Sequence, residues 1–274
     1  MIKALLVIGT RPEAIKMAGL VYELRRRRGI HWKLASTGQH RSMLDETLCD
    51  LGIAPDVDLG IMQRVSGLAG ITAAVMHSLA PVICDYKPDW VFVQGDTTTA
   101  MTAALAAVYH KTQVGHVEAG LRTGNRYSPW PEEINRKVIG TIATRHYAPT
   151  PTARENLLKE GVACDDVLVT GNTVIDALLY MSTRTRDDAE FKRQLADEFP
   201  WLGGNRRMIL VTGHRRESFG DGFRQICLAL LRLAERDDVE IVYPVHLNPN
   251  VRKPVQTMLS ASARIHLIEP QRYS

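Results

Sequence analysis

The sequence predicts an α/β fold built on parallel sheets, and three observations predict it. Short apolar runs alternate with longer amphipathic ones along the whole chain. The links between them are short. The two site-like loops that follow apolar runs both lead directly into helical patterns, as strand-to-helix turns of a parallel sheet do. The strand-like runs are Ala4–Ile8, Trp32–Ser36, Trp90–Val93, Val114–Val117, Val167–Val169, Met208–Thr212, Val239–Tyr243 and Ile265–Ile268. Helical periodicity falls near 12–28, 66–86, 97–110, 132–145, 151–160, 173–186, 188–198, 219–236 and 250–260.

The first strand enters its helix through Thr10, with Glu13 three residues on and Pro12 early in the helix, the signature of a capping box. The positive end of that helix, with Arg11 and Lys16, suits an anion equally well. Arg25 to Arg28 precede Gly29 at a helix C-terminus, where cations complement the dipole. Strand 90–93 runs into Gln94-Gly95-Asp96-Thr97-Thr98-Thr99. Asp96 alone reads as an N-cap for helix 97–110. Glu118, however, has the same placement one strand later, and two carboxylates at neighbouring strand ends suit acid–base chemistry. His116, inside the strand pattern, reads as a core histidine.

The stretch from Gly115 to Arg136 carries the densest chemistry. An apolar run stops at Glu118, a loop with Arg122 and Arg126 follows, and Ser128-Pro129-Trp130-Pro131 opens a helix whose first turn holds Glu132 and Glu133. Both glutamates complement the helix dipole, and Glu132 and Arg136 have the i, i+4 spacing of an ion pair. Further on, Gly213-His214-Arg215-Arg216-Glu217-Ser218 reads as a diphosphate clamp, because arginine forks match phosphate oxygens. His246 lies in another strand-to-helix turn. A domain boundary is predicted near 170–186, dividing the chain into 1–170 and 171–274. Only three strands follow it, which is few for an independent doubly wound domain.

Composition narrows the function classes. The net charge of +4 is mild and aromatics are only 6%, so no basic, aromatic-interleaved nucleic-acid surface is predicted. No run approaches the roughly 18 apolar residues of a membrane span. Cys49, Cys84, Cys164 and Cys227 form no C-x-x-C pair, which argues against zinc and for reduced cytosolic thiols. G-x-G-x-x-G, Walker A, H-E-x-x-H and G-x-S-x-G motifs are absent, so nicotinamide, P-loop, zincin and serine-hydrolase chemistries are disfavoured.

Residues 9–17, 94–99, 115–124, 128–133, 170–176 and 213–220 together resemble the bacterial non-hydrolysing UDP-N-acetylglucosamine 2-epimerases, the enterobacterial type above all. The resemblance runs from residue 1 to Tyr273. It implies two Rossmann-like domains of the B-type glycosyltransferase architecture, the second incomplete, because family members continue past the position of Ser274. It implies an isomerase that interconverts UDP-N-acetylglucosamine (UDP-GlcNAc) and UDP-N-acetylmannosamine (UDP-ManNAc) by eliminating and re-adding UDP through 2-acetamidoglucal, with no cofactor and no metal. It assigns Asp96, Glu118, Glu132, Arg136 and His214 to catalysis. Arg11, Lys16, Asp96, Glu118, His214 and Gln271 would bind substrate, and Gln39 and His246 a second, allosteric substrate molecule. A cytoplasmic homodimer is implied. A polypeptide ending at Ser274 is expected to be weakly active or inactive, because loops that grip UDP lie beyond it. The alternatives are a hydrolysing epimerase, a B-type glycosyltransferase, or a degenerate UDP-sugar-binding module.

Overall fold

A computed structural model describes residues 1–38, 41–61, 67–201, 204–213 and 220–273. The chain forms two compact units, Met1–Ser182 and Thr183–Tyr273.

The first unit is a parallel seven-stranded sheet. Its strands are β1 (Ile2–Ile8), β2 (Ile30–Ser36), β3 (Val57–Asp58), β4 (Trp90–Gln94), β5 (Gln113–Val117), β6 (Arg145–Ala148) and β7 (Val167–Val169). Their order is β3-β2-β1-β4-β5-β6-β7, and every neighbouring pair is parallel. The order reverses between β1 and β4. Such a switch point opens a crevice at the carboxyl ends of the strands, where α/β proteins bind ligands. Strand β1 shows why a parallel sheet forms here: Ala4 to Ile8 are all buried, leaving neither face to water.

The helices are α1 (Arg11–Arg26), α2 (Arg41–Asp50), α3 (Gly67–Tyr86), α4 (Thr98–Tyr109), α5 (Glu132–Ile142), α6 (Pro151–Lys159) and α7 (Thr173–Asp187). Helix α4 lies in the core on small side chains, with Ala100, Ala103, Ala104, Ala106 and Ala107 fully buried beside Leu79 and Ile83 of α3 and Ile139 of α5. Alanine keeps helix propensity high while letting a helix approach the sheet closely.

Four elements differ from the sequence expectations. Helix α2 and strand β3 are additional. The helix expected over 132–145 ends at Ile142, and Arg145–Ala148 form β6. An Arg-His-Tyr-Ala run has no apolar alternation, and it becomes a strand because β5 and β7 pair with it on both sides. Contrary to expectation, α3 is long and apolar enough by composition to cross a membrane. Here it turns one face, Ile71, Val75, Leu79, Ile83 and Tyr86, inward, and most of the helix is not buried.

The units divide inside α7. The helix head stays with the first unit: Tyr180 packs on Tyr22 of α1 with ring centroids 4.5 Å apart, and Asp176 lies against Gly19. The second unit comprises the end of α7 with α8 (Ala189–Glu198), α9 (Asp221–Ala234), α10 (Pro249–Leu259) and a parallel sheet of β8 (Arg207–Leu210), β9 (Val239–Pro244) and β10 (Ile265–Ile268), ordered β10-β9-β8. Its core joins Phe223, Cys227 and Leu230 of α9 to Ile241 and Tyr243 of β9 and to Val251, Val255 and Leu259 of α10.

Gly120, in the loop after β5, has φ +87°, and a Cβ there would stand 2.1 Å from the Ala153 carbonyl oxygen. Gly120→Ala therefore combines left-handed strain with a backbone clash. It is expected to cost about 3 kcal/mol of stability, read as a lowered urea midpoint.

Candidate functional site

The candidate site is built where β1, β4 and β5 end. Three turns meet there, and each is set by its own local chemistry. At the first, Glu13 closes the capping box, its Oε2 accepting the Thr10 N–H at 2.7 Å and the Gly9 N–H at 3.0 Å. Its Oε1 accepts the Thr97 hydroxyl at 2.7 Å, which ties the β1–α1 turn to the β4–α4 turn. Burial raises the Glu13 pKa above the ordinary carboxylate value against these hydrogen bonds.

At the second turn, Asp96 is not the N-cap of α4. Thr97 is, its hydroxyl oxygen accepting the Ala100 N–H at 3.0 Å. Asp96 is thereby freed to pair with Arg136 at 2.5 Å. The Asn135 side-chain amide holds the Asp96 carbonyl at 2.8 Å, so α5 grips this turn through both backbone and side chain.

At the third turn, Glu118 adopts φ +64°, the left-handed region that a residue with a Cβ enters only at a cost of about 1–2 kcal/mol. Non-glycine residues held there cluster at functional sites. Its Oε2 pairs with Lys16 Nζ at 2.6 Å and also accepts the Gln94 amide; its Oε1 accepts the Asn172 amide at 2.8 Å. Lys16 has three N–H donors, so its bond to Glu118 leaves two for another anion.

The i, i+4 pair expected between Glu132 and Arg136 does not form. Arg136 reaches Asp96 and, at 3.3 Å, Glu133. Asp96, on the facing turn, draws the guanidinium across and away from its own helix. Glu132 is left with Oε2 buried and without a hydrogen-bond partner among the described residues. Glu133 is fully buried as a structural anchor, accepting the Thr123 and Gly124 backbone N–H groups at 3.1–3.2 Å. Burial opposes its charge, but these amides and Arg136 outweigh it and lower its pKa.

His116 is a core histidine with a task. It is fully buried, and its Nε2 lies 2.7 Å from the Gly95 carbonyl oxygen. A carbonyl only accepts, so Nε2 carries the proton. Burial lowers its pKa to about 3, with the Gly95 hydrogen bond working in the opposite direction.

Of the other predicted residues, Arg11 lies in the first turn of α1. Of the expected clamp 213–218, His214 to Ser218 lie outside the described residues, as does Gln39. His246 and Gln271 belong to the second unit. There His246 Nδ1 accepts the Asn248 N–H at 3.1 Å before α10, and the Gln271 amide donates to the Glu269 carbonyl at 2.6 Å. Among the described residues no cluster of three or more His, Cys, Asp or Glu could hold a metal.

A match to the UDP-N-acetylglucosamine 2-epimerase family covers residues 22–274. The chain is 52% identical over 272 residues to the UDP-N-acetylglucosamine 2-epimerase of Salmonella typhimurium, spanning 99% of this chain and 72% of that protein. The chain belongs to this epimerase family. The Escherichia coli K12 enzyme is equally similar, at 52% over the same coverage. The crystal structure of the Neisseria meningitidis epimerase, solved with UDP-GlcNAc bound, superposes with a TM-score of 0.90 at 49% identity, covering 99% of this chain and 73% of that one. The epimerase of Methanocaldococcus jannaschii, in complex with UDP-GlcNAc and UDP, gives 0.77 at 30% identity over 99% and 74%. The α/β architecture, a seven-stranded and a three-stranded parallel sheet, matches the B-type glycosyltransferase-like fold of these epimerases.

Gln94 and Asn172 are site residues that sequence reasoning passed over, although both stand in the motifs that resemble the family. The available signals were a polar residue closing an apolar strand and an asparagine just before a helix.

Because the His116 pKa is lowered on folding, the unfolded chain binds the extra proton first as pH falls. Stability attributable to His116 is therefore full above about 6.5 and lost as pH falls from there toward 3. His116→Gln, which keeps an N–H donor for Gly95, is expected to remove that part of the slope in urea denaturation measured from pH 8 to 5.

Proposed function

We propose that this chain is a UDP-GlcNAc 2-epimerase, interconverting UDP-GlcNAc and UDP-ManNAc. The observation that carries the reading is the convergence of Asp96 and Glu118 at the ends of adjacent strands, each paired with its own cation, with a buried Glu132 oxygen in the first turn of α5 that has no hydrogen-bond partner among the described residues. Inverting C2 requires one group to take the C2 proton and another to return it from the opposite face, which a cluster of carboxylates supplies.

In the forward half, a carboxylate takes the proton from C2, the C1–C2 double bond forms, and the C1–O bond breaks with its electron pair leaving on UDP. The intermediate is 2-acetamidoglucal. In the return half, a proton is delivered to the other face of C2 and the UDP oxygen rejoins C1. The diphosphate gains negative charge as it leaves, and Arg11, Lys16 and His214 are the groups we assign to it. Arg136 holds Asp96, and Asn135 holds the Asp96 backbone, so that the acid does not wander between the two steps. The assignment of Gln271 to substrate and of Gln39 and His246 to a second substrate molecule belongs to the same reading. So do a homodimer and a cytoplasmic setting; the four cysteines, all unpaired, suit a reducing compartment.

Incubation with UDP-GlcNAc in D₂O is expected to place deuterium at C2, seen by NMR as loss of the H2 signal. Asp96→Asn and Glu118→Gln are each expected to slow this exchange by about 100-fold or more without altering the circular dichroism spectrum. UDP-GlcNAc binding with no exchange in the parent protein would favour a binding module instead.

A further inference from the structure

The Glu118 carboxylate is held by three donors from three separate elements: Lys16 of α1, Gln94 at the end of β4, and Asn172 just before α7. These donors differ in what they can fix. An ammonium is a compact charge with rotatable N–H groups, so Lys16 supplies attraction but no plane. The two amides sit on opposite oxygens, Gln94 on Oε2 and Asn172 on Oε1, and two directional bonds on opposite oxygens define the rotation of a carboxylate. The Asn172 amide is itself fixed. Its Oδ1 accepts the Val174 N–H at 3.0 Å, so its NH₂ must face Glu118. Gln94 is buried in the sheet and has no freedom to withdraw.

We propose that Asn172 and Gln94 are positioning residues that set the carboxylate plane of Glu118 for proton transfer at C2; this rests on the epimerase reading above. Lys16 attracts the carboxylate, and the amide pair aims it. Rotation of Glu118 breaks a bond to Gln94 or Asn172, and its left-handed backbone limits the alternatives.

The test uses Asn172→Asp and Gln94→Glu. Asn172→Asp keeps the size of the side chain and its acceptor for the Val174 N–H, and replaces the donor facing Glu118 with an anion. In both variants kcat for epimerisation is expected to fall about 10- to 100-fold with little change in KM. The acidic limb of the kcat–pH profile is expected to move to higher pH, because an added carboxylate opposes a second charge beside it. A crystal structure of Asn172→Ala is expected to show the Glu118 carboxylate turned out of its plane. A loss confined to KM, or a loss matched by a fall in Tm with an unmoved acidic limb, makes Asn172 a cap for α7 and overturns the proposal. So does an unmoved Glu118 in Asn172→Ala. If the parent protein shows neither exchange nor epimerisation, the epimerase reading fails, and the crystal structure still decides whether Asn172 orients Glu118.

Discussion

The grip on the Glu118 carboxylate is the interaction on which the rest of the candidate site depends. One side chain is reached by the helix that follows β1, by the end of β4, and by the asparagine that follows β7. None of those groups is near Glu118 in sequence. They meet because β1, β4, β5, β6 and β7 follow one another in a single parallel sheet, which brings their carboxyl ends to one edge. Left-handed backbone at Glu118 turns its side chain back toward that edge, and three donors offset the conformational cost.

A second constraint keeps the turns in register with one another. Glu13 bridges the first and second turns through hydrogen bonds to Gly9, Thr10 and Thr97. His116 binds the carbonyl of Gly95, and Asn135 the carbonyl of Asp96. Glu133 binds the loop after Glu118 by its backbone amides at Thr123 and Gly124. Each is a buried or half-buried polar group; His116, Asn135 and Glu133 bind backbone of another element, and Glu13 binds its own turn and the Thr97 hydroxyl. Buried polar groups without partners are costly, so each bond discourages the loop from adopting any other path. The candidate carboxylates thus stand on turns that other polar side chains have already fixed. Preorganisation of this kind lets a site stabilise developing charge without first rearranging.

The small side chains of α4 complete the arrangement. A helix of this length with larger residues in place of its buried alanines could not sit between α3, α5 and the sheet. Its close approach sets the depth of Thr97 and hence of Asp96. Packing deep in the core therefore decides the location of an acid at the surface.

Much of the fold was legible in the sequence. Fully apolar runs such as Ala4–Ile8 announce strands buried on both faces, and Thr10 with Glu13 and Pro12 announces a helix start from local chemistry alone. The acids were legible too, as polar residues interrupting those runs. What failed was anything whose identity depends on a neighbour: β6, an Arg-His-Tyr-Ala run made a strand by the strands beside it; the cap of α4, which is Thr97 where Asp96 taken alone offered itself; and Arg136, whose short pair is with an acid on another element instead of Glu132. By itself the sequence determined the alternation of strand and helix, the capped turns and the inventory of charged groups, because these follow from interactions within a few residues. Only the tertiary structure decided which cation faces which carboxylate, since that pairing depends on strand order and helix packing between residues far apart along the chain.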